Sequence, residues 1–275
     1  MYPGGNALNF AVFSRLLGCE AAYLGVFGDD ACAQHVYETL RALDIPMDHC
    51  RFYPGENGCA QVRIEDGERV FLGSNRGGIS KEHPWSLTAL DLAYLRKFDL
   101  IHTSVFSYTD AVLPELKRSG LRVSYDFSDC FEEEMLQRIC PHLWCACLSG
   151  AGLSLAQCKA RMREIAETGC EMVLLTRGAQ GALLYAQEKF YAQSPCLVQA
   201  VDTMAAGDAF QTAFLTAYLQ SERLGRDFAP CREPQGLCSR QAYLDALIMA
   251  ALHQAAVFSA ENCRRDGSFG FGKKA

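Results

Sequence analysis

Between residues 99 and 178 four short, continuous apolar runs recur: "DLIHTSVF", "LRVSYDF", "WCACLS" and "EMVLLTRG". The first three are each followed by a stretch with apolar residues at helical spacing: "DAVLPELKRSG", "EEEMLQRICPHL" and "LAQCKARMREIAETG". A strand that is apolar on both faces must be covered on both faces. Parallel strands also need a crossover between them, usually a helix. The pattern therefore predicts an α/β fold: a three-layer α/β/α sandwich around a mainly parallel central sheet.

The flanks extend this reading. "NALNFAVFSRLLG" has helical periodicity and stops at Gly18, "AAYLGVFG" reads as a buried strand, and "DDACAQHVYETLRALDI" reads as a helix with acids at its start. "CAQVRI" and "ERVFLG", joined by "EDG", predict a hairpin that projects as a small β lid around residues 55–78. "GALLYA" and "KFYAQ" read as an antiparallel pair. "AGDAFQTAFLTAYLQ" and "QAYLDALIMAALHQAAVFSAEN" read as the last two helices. The polar segment 221–239 predicts a surface loop between them. At 275 residues the whole chain, 1–275, is expected to form one domain, and no apolar run reaches membrane-spanning length.

The net charge of −6 argues against nucleic acid or an anionic membrane surface as a partner. The 14 cysteines are scattered without metal-ligand spacing, so they read as buried free thiols of a cytoplasmic protein.

In an open parallel sheet, ligands bind beyond the carboxyl ends of the strands. The loops after Phe127, Leu148, Thr176 and Val201 are thus the candidate site. In "VDTMAAGDAF" (201–210) a strand end meets small residues, Ala205, Ala206 and Gly207, where a ligand can approach the backbone, and then a helix. Free N–H groups at that helix start attract an anion. Asp208 in its first turn is the right group to take a proton from a hydroxyl attacking phosphorus. "TRGAQG" (Thr176, Gly178, Gly181) offers a nucleotide wall one element earlier. In "PGGNALNFAV" the carboxamides of Asn6 and Asn9 suit sugar hydroxyls. Walker, HExxH and GxSxG motifs are absent.

These three stretches resemble the PfkB family of carbohydrate kinases, which has the ribokinase-like fold: Gly4-Gly5-Asn6-Ala7-Leu8-Asn9, Thr176 to Gly181, and Asp202-Thr203-Met204-Ala205-Ala206-Gly207-Asp208-Ala209-Phe210. "GGNALNFAV", "YDFSD", "ERVFLG" and "DTMAAGD" are similar to family members that phosphorylate fructosamines. The resemblance implies ATP-dependent phosphorylation of a sugar hydroxyl, with the 6-hydroxyl of fructoselysine or a related fructosamine as the expected acceptor. Kinases of fructose, ribose or nucleosides share the frame, as does a catalytically impaired binder.

By the same resemblance, Asp208 is the base and the amides of Ala206, Gly207 and Asp208 form an anion hole. Thr176, Gly178, Gly181 and Ala205 line ATP, and Gly4, Gly5, Asn6 and Asn9 hold the sugar. Mg²⁺ accompanies ATP, Asp202 lies near a monovalent cation such as K⁺, and the lid pairs two copies as a homodimer. Arg76, Glu65 and Asp129 are candidates for an amino-acid moiety of the substrate. Three features depart from the family pattern. Ala205 replaces a glycine. No acid stands in "SGAGLSLAQ" (149–157), where the family has N-x-x-E. The chain also starts almost at the GGN motif, so a sheet lacking the family's first strand is expected.

Overall fold

The computed structural model describes residues 1–65, 68–227 and 240–273. In chain order its elements begin with α1 (Asn6–Leu16), β1 (Val26–Phe27), α2 (Ala31–Ala42), β2 (Arg51–Phe52), β3 (Ala60–Glu65) and β4 (Glu68–Ser74). Then come α3 (Ile79–Glu82), α4 (Ala89–Leu95), β5 (Ile101–Ser104), α5 (Leu113–Arg118), β6 (Val123–Asp126), α6 (Glu133–Ile139) and β7 (Cys145–Ser149). The last are α7 (Leu155–Glu167), β8 (Met172–Thr176), β9 (Ala182–Ala186), β10 (Lys189–Gln193), α8 (Ala206–Asp227) and α9 (Arg240–Asn262).

The apolar runs do form the central sheet, ordered β10-β9-β8-β7-β6-β5. Strands β5 to β8 are parallel, and β9 and β10 add antiparallel at one edge. Period-two alternation divides the side chains between two cores. Tyr125, Ala146, Leu148, Val173 and Leu175 pack on α5, α6 and α7. Cys145, Cys147, Met172 and Leu174 pack on α8 and α9. The cysteines of β7 thus serve as small core residues, and those in the described segments are free thiols.

The sheet is not continuous. β1 and β2 form a separate parallel pair, and β3 with β4 forms the expected lid hairpin, whose turn residues 66–67 lie outside the described residues. Residues 21–27 and 97–104 both line a cavity of about 1380 Å³. The β1–β2 pair and the six-stranded sheet are therefore separate, with this cavity between β1 and β5. α1 packs on α8 and β5, with Phe10 stacked on His102 at 3.9 Å, and its Leu8, Val12 and Phe13 share a core with Phe27 of β1. Burial lowers the His102 pKa to about 3, so this ring is neutral.

Three sequence expectations need correction. The run ending at Val201 is not a strand: the N–H groups of Val201 and Asp202 both donate to the Cys263 carbonyl, in the loop after α9, rather than to a neighbouring strand. Residues 221–227 continue α8 as helix instead of opening a loop, and 228–239 lie outside the described residues. Finally, Gln241–Asn262 is long and apolar enough to cross a membrane. One face of it packs in the core shared with α8 through Ile248, Ala251, Leu252, Ala255 and Ala256, while Met249 and Val257 are exposed. Asp245 on the same helix accepts from Lys189 and Tyr191 of β10.

Gly181 closes the turn between β8 and β9 at φ 85°, where a Cβ would stand 2.0 Å from the Gln193 carbonyl oxygen. Gly181→Ala is expected to destabilise the fold by about 2 kcal/mol or more, from backbone strain plus the clash, measured as a shift in the urea unfolding midpoint.

Candidate active site

The carboxyl ends of β5 to β8 line up in register, with Ser104 opposite Asp126 and Ser149 opposite Thr176. Alternation decides which way each end residue faces. Tyr125 and Leu175 lie in the core under α5 to α7, so Asp126 and Thr176 face α8. The N-terminus of α8 reaches this edge through a braced turn. Asp202 Oδ1 accepts from the Met204 amide and Oδ2 from the Gly267 amide, each at 2.9 Å. Ala205 then adopts φ 57° and α8 starts at Ala206. A left-handed alanine costs on the order of 1 kcal/mol. The turn retains it because both sides are tied down: Asn262 Nδ2 donates to the Met204 carbonyl and Ser259 Oγ to that of Ala206.

The first helical bond of α8 runs from the Ala209 amide to the Ala205 carbonyl. The Ala206 amide is spent on the Thr203 carbonyl at 3.3 Å, which removes one of the three groups expected in the anion hole. The amides of Gly207 and Asp208 have no partner among the described residues, so they carry the positive end of the helix dipole unopposed. Thr176 Oγ1 lies 3.8 Å from where a Gly207 Cβ would be, so the nucleotide-wall threonine and this helix start are adjacent.

α1 supplies the opposite wall. Gly5 takes φ 110° at its N-cap, a glycine-only conformation, and places Asn6 and Asn9 on one face, three residues apart. Asn9 Nδ2 donates to Asp208 Oδ2 at 2.5 Å. Asn6 Nδ2 donates to Asp208 Oδ1 at 3.3 Å and to Asp126 Oδ2 at 2.5 Å. Gly4 passes close to Ser268, whose Oγ stands 3.4 Å from a would-be Cβ.

Asp126 was absent from the sequence-based site, yet it is at the centre. It is 2% exposed. Its Oδ1 accepts from the Ser128 amide, and Gln211, on α8, is a further donor to it. The Asp126 and Asp208 carboxyls are themselves hydrogen-bonded, which requires a shared proton. Burial, then the charge of Asp126, pushes the Asp208 pKa up to about 7, and burial raises Asp126 as well. The signal for Asp126 was available, because it ends one of the strands whose following loops were marked. Gln211 and Ser268 had no such signal.

Three polar atoms around this cluster are buried without a partner: Asn9 Oδ1, Gln211 Oε1 and Ser268 Oγ. They suit a ligand that brings hydroxyl donors. Other predicted residues lie apart from the carboxyl pair. Gly178 (φ 55°) sits in the β8–β9 turn with open space beside it, and Gly181 serves strand packing. Asp202 braces the turn. Arg76 and Asp129 are on the surface of the same end, and the Glu65 side chain lies outside the described residues.

Residues 1–229 match the pfkB family carbohydrate kinase profile. The chain belongs to this family. It is similar to the fructosamine kinase FrlD of Bacillus subtilis (strain 168), 38% identical over 273 residues that span 98% of this chain and 87% of that protein. It is also similar to fructoselysine 6-kinase of Escherichia coli (strain K12), 29% identical over 217 residues, 79% of this chain and 82% of that one. Among solved structures, Arabidopsis thaliana ribokinase complexed with ribose and ATP superposes with a TM-score of 0.75 at 20% identity, covering 97% of this chain and 83% of its own. As a PfkB carbohydrate kinase, the chain is a phosphotransferase acting on sugar hydroxyls.

The paired carboxyls make the site pH-sensitive in two opposed ways. Folded Asp208 keeps its proton to about pH 7 whereas the unfolded residue loses it near its ordinary 3.8, so its contribution to stability falls as pH rises between those values. Proton-accepting capacity rises over the same range. Asp126→Asn removes the neighbouring charge and is expected to lower the Asp208 pKa by a unit or more, read from carboxyl carbon chemical shifts across a pH titration.

Proposed function

We propose that this PfkB kinase transfers the γ-phosphoryl group of ATP to the 6-hydroxyl of a fructosamine, with fructoselysine the leading acceptor. The observation that carries the reading is the junction of α1, β6 and α8: a carboxyl with a pKa near 7, held by two sugar-motif asparagines beside unpaired helix-start amides. The fructosamine assignment rests on the two relatives above whose names carry that substrate class.

In this mechanism ionised Asp208 accepts the proton of the acceptor hydroxyl as its oxygen bonds to phosphorus. The bond from phosphorus to the β–γ bridging oxygen breaks and ADP leaves. The Gly207 and Asp208 amides stabilise charge on the transferring group. Asn6 and Asn9 orient the sugar, with Asn9 Oδ1 accepting from one of its hydroxyls. Thr176, Gly178 and Ala205 line the phosphates.

Among the described residues no three His, Cys, Asp or Glu side chains converge as a metal cage. A Mg²⁺ accompanying ATP would take its ligands from the phosphates and would neutralise their charge. Asp202 and the buried, partnerless Ser268 hydroxyl are the groups that would hold K⁺. A second reading, a sugar-binding homologue with impaired turnover, draws on the left-handed Ala205, whose methyl stands where the phosphates would approach.

The test is ADP release with ATP, Mg²⁺ and a panel of fructoselysine, fructose, ribose and adenosine. Turnover is expected on fructoselysine, and Asp208→Asn is expected to lower it between about a hundredfold and ten-thousandfold. Turnover confined to ribose or adenosine would reassign the acceptor. Acceptor binding without turnover would establish the impaired binder.

A further inference from the structure

Arg177 follows Thr176 directly, and strand alternation sends its side chain to the face opposite α8. There its Nη2 donates to the Leu153 carbonyl at 3.3 Å, in the loop between β7 and α7. Its Nε is buried with no hydrogen-bond partner, and no acid among the described residues pairs with it. The loop it reaches, Ser149 to Leu153, carries no charge. A guanidinium partly withdrawn from water without a counter-ion is unfavourable unless an anion completes its surroundings. Space for one exists beside it: Gly178, the next residue, turns at φ 55° with no atom within 4 Å of a would-be Cβ. On the other side of Thr176 lie Gly207 and its unpaired amide. Cation, open space and helix start all sit at the same end of β8.

We propose that Arg177 binds the phosphate chain of the nucleotide, its guanidinium and the α8 amides holding the chain between them. The inference rests on the ATP-dependent reading above. Arg177 contributes a fixed, permanently charged donor fork, reaching the loop where the acid of the family pattern is missing.

The experiment is calorimetric titration of ATP, ADP and adenosine into the wild-type protein, Arg177→Met and Arg177→Lys, with urea unfolding of each. Arg177→Met is expected to weaken ATP by tenfold or more, ADP by less, and adenosine by under twofold. Arg177→Lys, which keeps the charge and loses the fork, should fall between. Unfolding midpoints should stay close to wild type. If Arg177→Met binds ATP as tightly as wild type, or loses ATP and adenosine equally, Arg177 only braces the Leu153 loop and the inference is overturned while the kinase reading stands. Should Arg177→Met fail to fold, the Lys variant decides: ATP affinity equal to wild type overturns the inference, and a selective loss of ATP over adenosine supports it. Wild-type protein that binds no nucleotide at all overturns the kinase reading, and this inference with it.

Discussion

Two carboxyls held in hydrogen-bond contact constrain everything around them. Asp126 ends a central strand and Asp208 begins a long helix, and neither can be fully ionised beside the other without a large electrostatic cost. Asn6 donates to both, which ties α1 into the same arrangement. The glycine before α1, the braced turn before α8 and the Ser128 amide after β6 all orient groups toward this contact. A site built this way is already organised before a ligand arrives, because its donors and acceptors are mutually committed rather than solvated.

The fold was legible in the sequence where short-range chemistry decides it. Continuous apolar runs followed by helical periodicity marked β5 to β8, and the small-residue turn before Asp208 marked the start of α8. Reading failed where the partner is distant. The segment before Thr203 has strand-like residues, but its amides are claimed by the Cys263 carbonyl, which no local pattern reveals. The apolar stretch in α9 is long and apolar enough to cross a membrane by length and composition alone, and only its packing on α8 shows that part of it belongs to the core.

The site shows the same boundary. Asn6, Asn9 and Asp208 were marked by motif and the structure brings them together. Asp126, 120 residues from Asn6, was quoted within a motif but given no role, because only tertiary contact makes it a neighbour. The anion hole was expected from three amides, yet the Ala206 amide donates to the Thr203 carbonyl inside the turn that holds the left-handed Ala205. Gly178 and Gly181 read as one motif and have separate physical reasons: open space at one, strand packing at the other.

The divided sheet gives the site an unusual geography. Asp126 and Asp208 belong to the six-stranded body, and Asn6 and Asn9 ride on α1, which packs on that body through α8 and β5 and shares a core with Phe27 of the two-stranded piece. The hydrogen bonds between them therefore pin to the body the helix that also covers the two-stranded piece. The Asn6 contact lowers the proton affinity of Asp126, and the Asn9 contact lowers that of Asp208. The seating of α1 and the protonation of the site are consequently linked: losing these contacts makes the carboxyls hold protons more tightly, and ionising the carboxyls strengthens their hold on α1.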